Sequence, residues 1–397
     1  MTVVARALRR SDWALLVLAA VFVAASPLLA HTGGAVTPFA VSAVAVALLA
    51  ALVSRSVDHL AERLGAGATG VLQSALGNLP ELFISLFALR AGLTSVVTAA
   101  LIGSVLANLL LVLGLSFTVG SVRNGLMRFS AGRARTITTL MLFAVAGMLV
   151  PSLASFVHSP AAGHEVGLSR VTAVVLLVVF ALSVPVSLRR GGQENPEGTR
   201  TEAPAAGPAA QAPGPAQAGQ AGQAGQAGQA GQTGQAGQAD GGTVRWPLWL
   251  AVAMLAVTGV AAAYVSDLFV NALQPAIGAL HISEAFAGLV IVAIAGNAVE
   301  NTVGIKLAWQ NQADHALSVV LNSPLQIALV LAPALVLLAP AAGHTPFTLV
   351  FSPLLVATVV IGTVVVAFLI YDGISDWLEG VAMIGLYILI AAAFWWG

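Results

Sequence analysis

Apolar residues fill this chain in long unbroken stretches, and polar residues gather in the joints between them. Stretches long enough to cross a bilayer occur near 13–30, 36–54, 66–89, 93–119, 136–157, 168–188, 246–270, 285–308, 312–340, 347–371 and 377–396. A membrane-crossing helix needs about 20 predominantly apolar residues, so the pattern predicts eleven transmembrane helices. The joints give the direction, because Lys and Arg favour the cytoplasmic side of short loops. With the N-terminus inside, Arg6, Arg9, Arg10, Arg55, Arg63, Arg123, Arg128, Arg133, Arg135, Arg189, Arg190, Arg200, Arg245 and Lys306 are cytoplasmic. Only Arg90 and Arg170 fall outside, and so strong a bias supports the helix count as well as the direction. Arg6, Arg9 and Arg10 before an apolar run also look like a secretory signal. Leu28 and Ala30 make a poor cleavage site, however, and the next span follows at once. An uncleaved first helix is the better reading.

Residues 190–244 break the pattern. They start Arg-Gly-Gly-Gln-Glu-Asn-Pro and become an Ala-Gly-Gln repeat, with Gly at every third position from Gly219 to Gly237. Collagen shares that period but needs prolines between the glycines, so a flexible cytoplasmic linker is expected. The linker divides the chain into an extra N-terminal helix (1–33), five helices (34–189), the linker (190–244) and five more helices (245–397). Five is odd, so the second set enters the membrane in the opposite sense. The expected fold is an all-α polytopic membrane protein with two inverted-topology five-helix repeats, an architecture that places a transporter's substrate site at the midplane.

Composition agrees and excludes several functions. The chain has 397 residues, 58% hydrophobic and 8% charged, where soluble domains carry about 25% charged residues. Its formal net charge is zero, so bulk charge implies no nucleic-acid partner. There are no cysteines, which excludes disulfides, thiolate metal sites and thiol catalysis. Basic residues are almost all Arg, and Ala, Gly and Val abound, which suggests a GC-rich bacterial genome and hence a bacterial cytoplasmic membrane.

Two glutamates stand out against this background. Glu81 lies in Ala-Leu-Gly-Asn-Leu-Pro-Glu-Leu and Glu300 in Ala-Gly-Asn-Ala-Val-Glu-Asn. Both follow Gly-Asn at the same offset, and each is followed 23 residues later by a serine, Ser104 or Ser323. A carboxylate at the bilayer centre costs about 3 kcal/mol or more, so it marks function by default. Asn78 and Asn297 precede the glutamates by three residues and share their helix face. Asn108 follows Ser104 by four residues, and Gln326 follows Ser323 by three. Gly77, Gly296 and Pro80 suit a helix break, which exposes carbonyl oxygens to a cavity.

Every candidate ligand is a hard oxygen: Glu81, Glu300, Asn78, Asn297, Ser104, Ser323, Gln326 and Asn108. That set suits Ca²⁺, which takes about 6–8 oxygens in flexible geometry, whereas Zn²⁺ or Cu⁺ prefers His or Cys. Two carboxylates are neutralised by one Ca²⁺ or by two protons. A low-dielectric site disfavours their uncompensated charge, so the two ions compete for one site. Ca²⁺ and H⁺ are therefore expected as transported substrates, with no cofactor and no enzymatic reaction. A single Gly-Asn-x-x-Glu is weak, and small residues with an Asn more often serve helix packing. Duplication at matched spacing, in opposed orientation, is what favours an ion site.

Gly77-Asn78-Leu79-Pro80-Glu81-Leu82 with Gly103-Ser104-Val105-Leu106-Ala107-Asn108 resembles the first alpha-repeat of the cation/proton exchangers of the calcium/cation antiporter superfamily. Gly296-Asn297-Ala298-Val299-Glu300 with Ser323-Pro324-Leu325-Gln326-Ile327 resembles the second. The resemblance implies a Ca²⁺/H⁺ antiporter in which Glu81 and Glu300 bind the ions alternately. It implies support from Asn78, Asn297, Ser104, Ser323 and Gln326. Two departures are visible. Asn301 stands where the family often has His, and the linker is nearly neutral where the family's is often acidic.

A Na⁺-coupled Ca²⁺ exchanger is the alternative, although sodium-coupled relatives tend to carry Ser or Thr at the positions of Asn78 and Asn297. An intramembrane protease would use paired Asp, which neither motif contains. A channel fits two inverted repeats around one carboxylate site less well than alternating access does. Asp372, Asp376 and Glu379 read as an exposed acidic loop, and Asp314 as favoured by the helix dipole near a helix start.

Overall fold

The computed structural model describes residues 8–29, 34–64, 76–191, 246–341 and 346–396; within these, the side chains of 62–64, 184–191, 299–300 and 341 lie outside the description. Twelve helices run through the described residues in chain order. They are α1 (Arg10–Leu29), α2 (Val36–Leu64), α3 (Leu79–Arg90), α4 (Thr94–Asn124), α5 (Ala131–Phe156) and α6 (Glu165–Gly191). After the linker come α7 (Leu248–Leu280), α8 (Glu284–Gly296), α9 (Ala298–Trp309), α10 (Ala313–Pro340), α11 (Pro353–Leu369) and α12 (Trp377–Trp395). Each expected apolar run carries a helix, but fewer than eleven full-length spans are present among the described residues. Eight described helices are long and apolar enough to cross a membrane, or nine if α8 and α9 count as one bent span. Of the remaining two runs, α11 has 17 residues, and α3 is the second half of run 66–89, whose residues 65–75 lie outside the described part. The expected linker, beyond Gly191, lies outside it too.

The core forms around α4, which is predominantly apolar and buried along almost its whole length, as a helix with so much apolar surface must be. Its approach to α8 is set by glycine. A Cβ on Gly103 would run into the Leu289 backbone, and one on Gly288 into the Val96 carbonyl. The two helices therefore meet backbone to backbone, the contact that small residues permit in membranes. Helices α2 and α7 pack on each other, with Phe39 and Phe269 stacked at 5.0 Å. The extra helix α1 leans on α2, and its buried Asp12 pairs with Arg55.

The arginine-rich end is organised by short polar devices. Met127–Arg128 (β1) pairs antiparallel with Ile374–Ser375 (β2), which ties the α4–α5 joint to the α11–α12 joint. Asp314 accepts a hydrogen bond from the Ser130 N–H at 2.8 Å, linking the starts of α5 and α10. The acidic group expected as a plain exposed loop is built into structure instead. Asp376 and Glu379 form a reciprocal capping box on α12, and Asp372 accepts from the Ile374 N–H at 3.0 Å. These carboxylates satisfy the otherwise open N–H groups of a helix start and a turn.

Candidate functional site

The helix expected over 285–308 is broken. Glu284–Gly296 and Asn301–Trp309 are bent against each other by 62°. The break falls at Asn297, with φ −97° and ψ 17°. Asn78, directly before α3, has φ −95° and ψ 19°. The two motifs thus leave the helix at the same residue type with the same backbone conformation. In each, the Asn carbonyl accepts from the N–H four residues on, Leu82 at 3.0 Å and Asn301 at 3.1 Å. Glu81 lies in the first turn of α3 and Glu300 is the third residue of α9, so both stand at the positive ends of half-helices. The Glu300 side chain lies outside the described ones.

The partner helices match as well. In α4, π-helical turns run over Ala107–Val112, three residues after Ser104; in α10 they run over Ile327–Leu331, four residues after Ser323. A π-helical turn adds a residue to each helical ring and is common at functional sites. A third occurs at Ala287–Val292 in α8. Nothing in the hydropathy pattern announces them.

The motifs of the two halves meet in one buried network. Asn297 donates through Nδ2 to Ser104 Oγ and the Ala293 carbonyl, both at 2.9 Å. Its Oδ1 accepts from Ser323 Oγ at 3.0 Å and from Asn108 Nδ2 at 3.2 Å. Asn108 also donates to Ser323 Oγ at 3.2 Å and to the Ser104 carbonyl at 2.9 Å. Asn78 donates to Gln326 Oε1 at 3.3 Å. Glu81, 8% exposed, is seated against the other motif. A Cβ on Gly296 would stand 2.7 Å from Glu81 Cγ and 3.0 Å from its Oε1. Gly296 is thus a seat for a carboxyl as well as a break in the helix.

Of the eight residues singled out in the sequence, the structure gathers Glu81, Asn78, Gln326, Asn297, Ser104, Asn108 and Ser323. The arrangement is less symmetric than the motifs. Asn297 spends all four of its side-chain hydrogen-bonding sites inside the protein, whereas Asn78 makes one bond to another side chain. Asn108 Oδ1 is buried and accepts no hydrogen bond among the described residues. It is a hard oxygen with open lone pairs within the Asn297 network. An oxygen set of this kind, at the starts of the half-helices α3 and α9, is chemically fit for a hard cation.

Known proteins carry the same plan. The profile of the sodium/calcium exchanger protein family matches residues 34–189 and 250–396. A Ca²⁺/H⁺ antiporter of Synechocystis sp. is 30% identical, with 91% of each chain covered. The Ca²⁺/H⁺ antiporter ChaA of Bacillus subtilis is 32% identical, covering 90% of this chain and 91% of its own. Among solved structures, native YfkE is 27% identical with a TM-score of 0.73, covering 96% of this chain and 99% of its own. An H⁺/Ca²⁺ exchanger, CAX, shares the fold at 14% identity, with a TM-score of 0.67 over 96% of this chain and 91% of its own.

Proposed function

The chain belongs to the sodium/calcium exchanger protein family, and from that membership we propose that it exchanges Ca²⁺ for H⁺ across a membrane by alternating access. Glu81 and Glu300 hold the two ions in turn. The observation that carries this reading is the seat of Glu81 against Gly296, next to Asn297. An acid from one half lies on the helix break of the other, so one cation is held by both halves at once. Asn78, Asn297, Ser104, Ser323, Gln326 and Asn108 complete the oxygen set. The relatives named as Ca²⁺/H⁺ antiporters, alike over nine-tenths of both chains, support the choice of ions.

The charge balance explains the coupling. Two carboxylates in a low-dielectric cavity are neutralised by one Ca²⁺ or by two protons, and each leaves a site free to reorient. The repeats, 34–189 and 245–397, supply opposed half-helices around that site. The arginine-rich end, with the N-terminus and the 190–244 linker, faces the cytoplasm of a bacterial cell.

Purified protein in proteoliposomes takes up ⁴⁵Ca²⁺ when a pH gradient is imposed without Na⁺, and collapsing the gradient with nigericin stops the uptake. Uptake that ignores the pH gradient and follows a Na⁺ gradient would move the chain to the sodium-coupled branch. A second outcome comes from the seat of the carboxyl. Gly296→Ala places a methyl group against Glu81, and overpacking of this kind costs about 1–3 kcal/mol. Ca²⁺ uptake is expected to fall roughly tenfold or more. Wild-type uptake in Gly296→Ala would dissociate Glu81 from the transport site.

A further inference from the structure

A polar seam leads from the central network toward the arginine-rich end, and the network does not use it. Helix α9 packs along the second half of α4. Asn297 bonds to Ser104 and Asn108 at one end. Midway, a Cβ on Gly304 would run into Val320 Cγ2 of α10 and lie 3.7 Å from Ser116 Oγ and 3.8 Å from Val112 Cγ1, so the hydroxyl is flanked there by two valines. At the far end, Asn124 Nδ2 donates to the Ala308 carbonyl at 3.3 Å. Asn301 shares the helix face of Asn297 and Gly304, so it belongs to the same seam.

Three oxygens along this seam are buried and have no hydrogen-bond partner among the described residues: Asn108 Oδ1, Asn301 Oδ1 and Ser116 Oγ. Ser116 is only 1% exposed. Buried polar groups left unpaired are costly, and in native proteins buried water commonly satisfies them with two to four bonds each. Neutral oxygens this few do not retain Ca²⁺, which takes about 6–8. Water suits them.

We propose that the α4–α9 seam holds a row of water joining the carboxylate site to the cytoplasmic end, with Ser116 and Asn301 as its positioning residues. Protons and the hydration water of the cation exchange with the cytoplasm along this row. The traffic rests on the exchange reading above; the presence of water rests on the geometry alone.

Two measurements separate these layers. The chain has no cysteine, so Ser116→Cys supplies a single thiol, and Leu113→Cys, at a position 0% exposed, supplies the dry control. Methyl methanethiosulfonate, followed by intact mass, is expected to modify Ser116→Cys about tenfold faster than Leu113→Cys, because the reaction needs water at the sulfur. Equal rates would overturn the proposal. Ser116→Ala is expected to slow pH-driven ⁴⁵Ca²⁺ uptake about tenfold, with equilibrium ⁴⁵Ca²⁺ binding unchanged, and Ser116→Thr to recover the rate by keeping the hydroxyl. A merely structural hydroxyl predicts the reverse: Ser116→Ala melts higher and transports like wild type, which sinks the route. Loss of equilibrium binding would assign Ser116 to the central site and also overturn the proposal. If wild-type protein itself shows no pH-driven uptake, the exchange reading fails, and the thiol rates still decide whether the seam holds water.

Discussion

Glu81→Gln inserts into the membrane normally but loses Ca²⁺ uptake driven by a pH gradient, to at least about a hundredfold below wild type. Removing one partner from a buried charged site costs about 3–5 kcal/mol, which corresponds to two or more decades in rate. The substitution keeps the shape of the side chain against Gly296 and removes both the charge and the exchangeable proton. The measurement is ⁴⁵Ca²⁺ uptake in proteoliposomes, beside size-exclusion and melting profiles that report insertion and folding. The melting temperature is expected to stay at or above that of wild type, because an amide is cheaper to bury than a carboxylate. Normal exchange by Glu81→Gln would refute the site. Glu300→Gln, at the matching place in the second motif, is expected to lose uptake in the same way.

Asn297→Ala is expected to damage the protein twice over. It deletes four hydrogen bonds, strands Ser104 Oγ, and leaves the Ser323 hydroxyl without its acceptor though still bonded from Asn108; both serines are 4% exposed. Stranding buried polar groups costs about 1–3 kcal/mol each, so the variant should melt clearly below wild type. Uptake should fall at least roughly tenfold, since the same amide joins the serines that hold both halves at the site. Asn78→Ala provides the comparison. Asn78 makes one bond to another side chain, at 3.3 Å to Gln326, so its loss should destabilise less while still lowering uptake. Equal melting shifts for the two variants would show that the asymmetry of the network carries no energy.

That asymmetry was not legible in the chain. The motifs read as equals, Gly-Asn-x-x-Glu twice, and the spacing to Ser104 and Ser323 is identical. Only the packing made Asn297 the hub, because Asn108 and Gln326 sit at different offsets from their serines and so meet different partners. Asn301 drew notice as a departure from the family pattern, whereas Ser116 drew none. Its signal was present all the same: Ser104, Asn108, Ser116, Gly120 and Asn124 fall at multiples of four within the most buried helix.

By itself the sequence determined what depends on local physics. Long apolar runs dictate membrane helices, because an unpaired backbone cannot survive in lipid. Matched Gly-Asn-x-x-Glu motifs marked the acids, because a duplicated intramembrane carboxylate is too costly to be incidental. The tertiary structure decided what depends on two segments meeting. The bend at Asn297 needs partners for the groups it frees, and the backbone contact of Gly103 with Leu289 needs a neighbour of matching shape. The placing of Glu81 on the glycine of the opposite motif needs both. Such contacts join residues about two hundred positions apart, and no periodicity within either segment encodes the surface it will face.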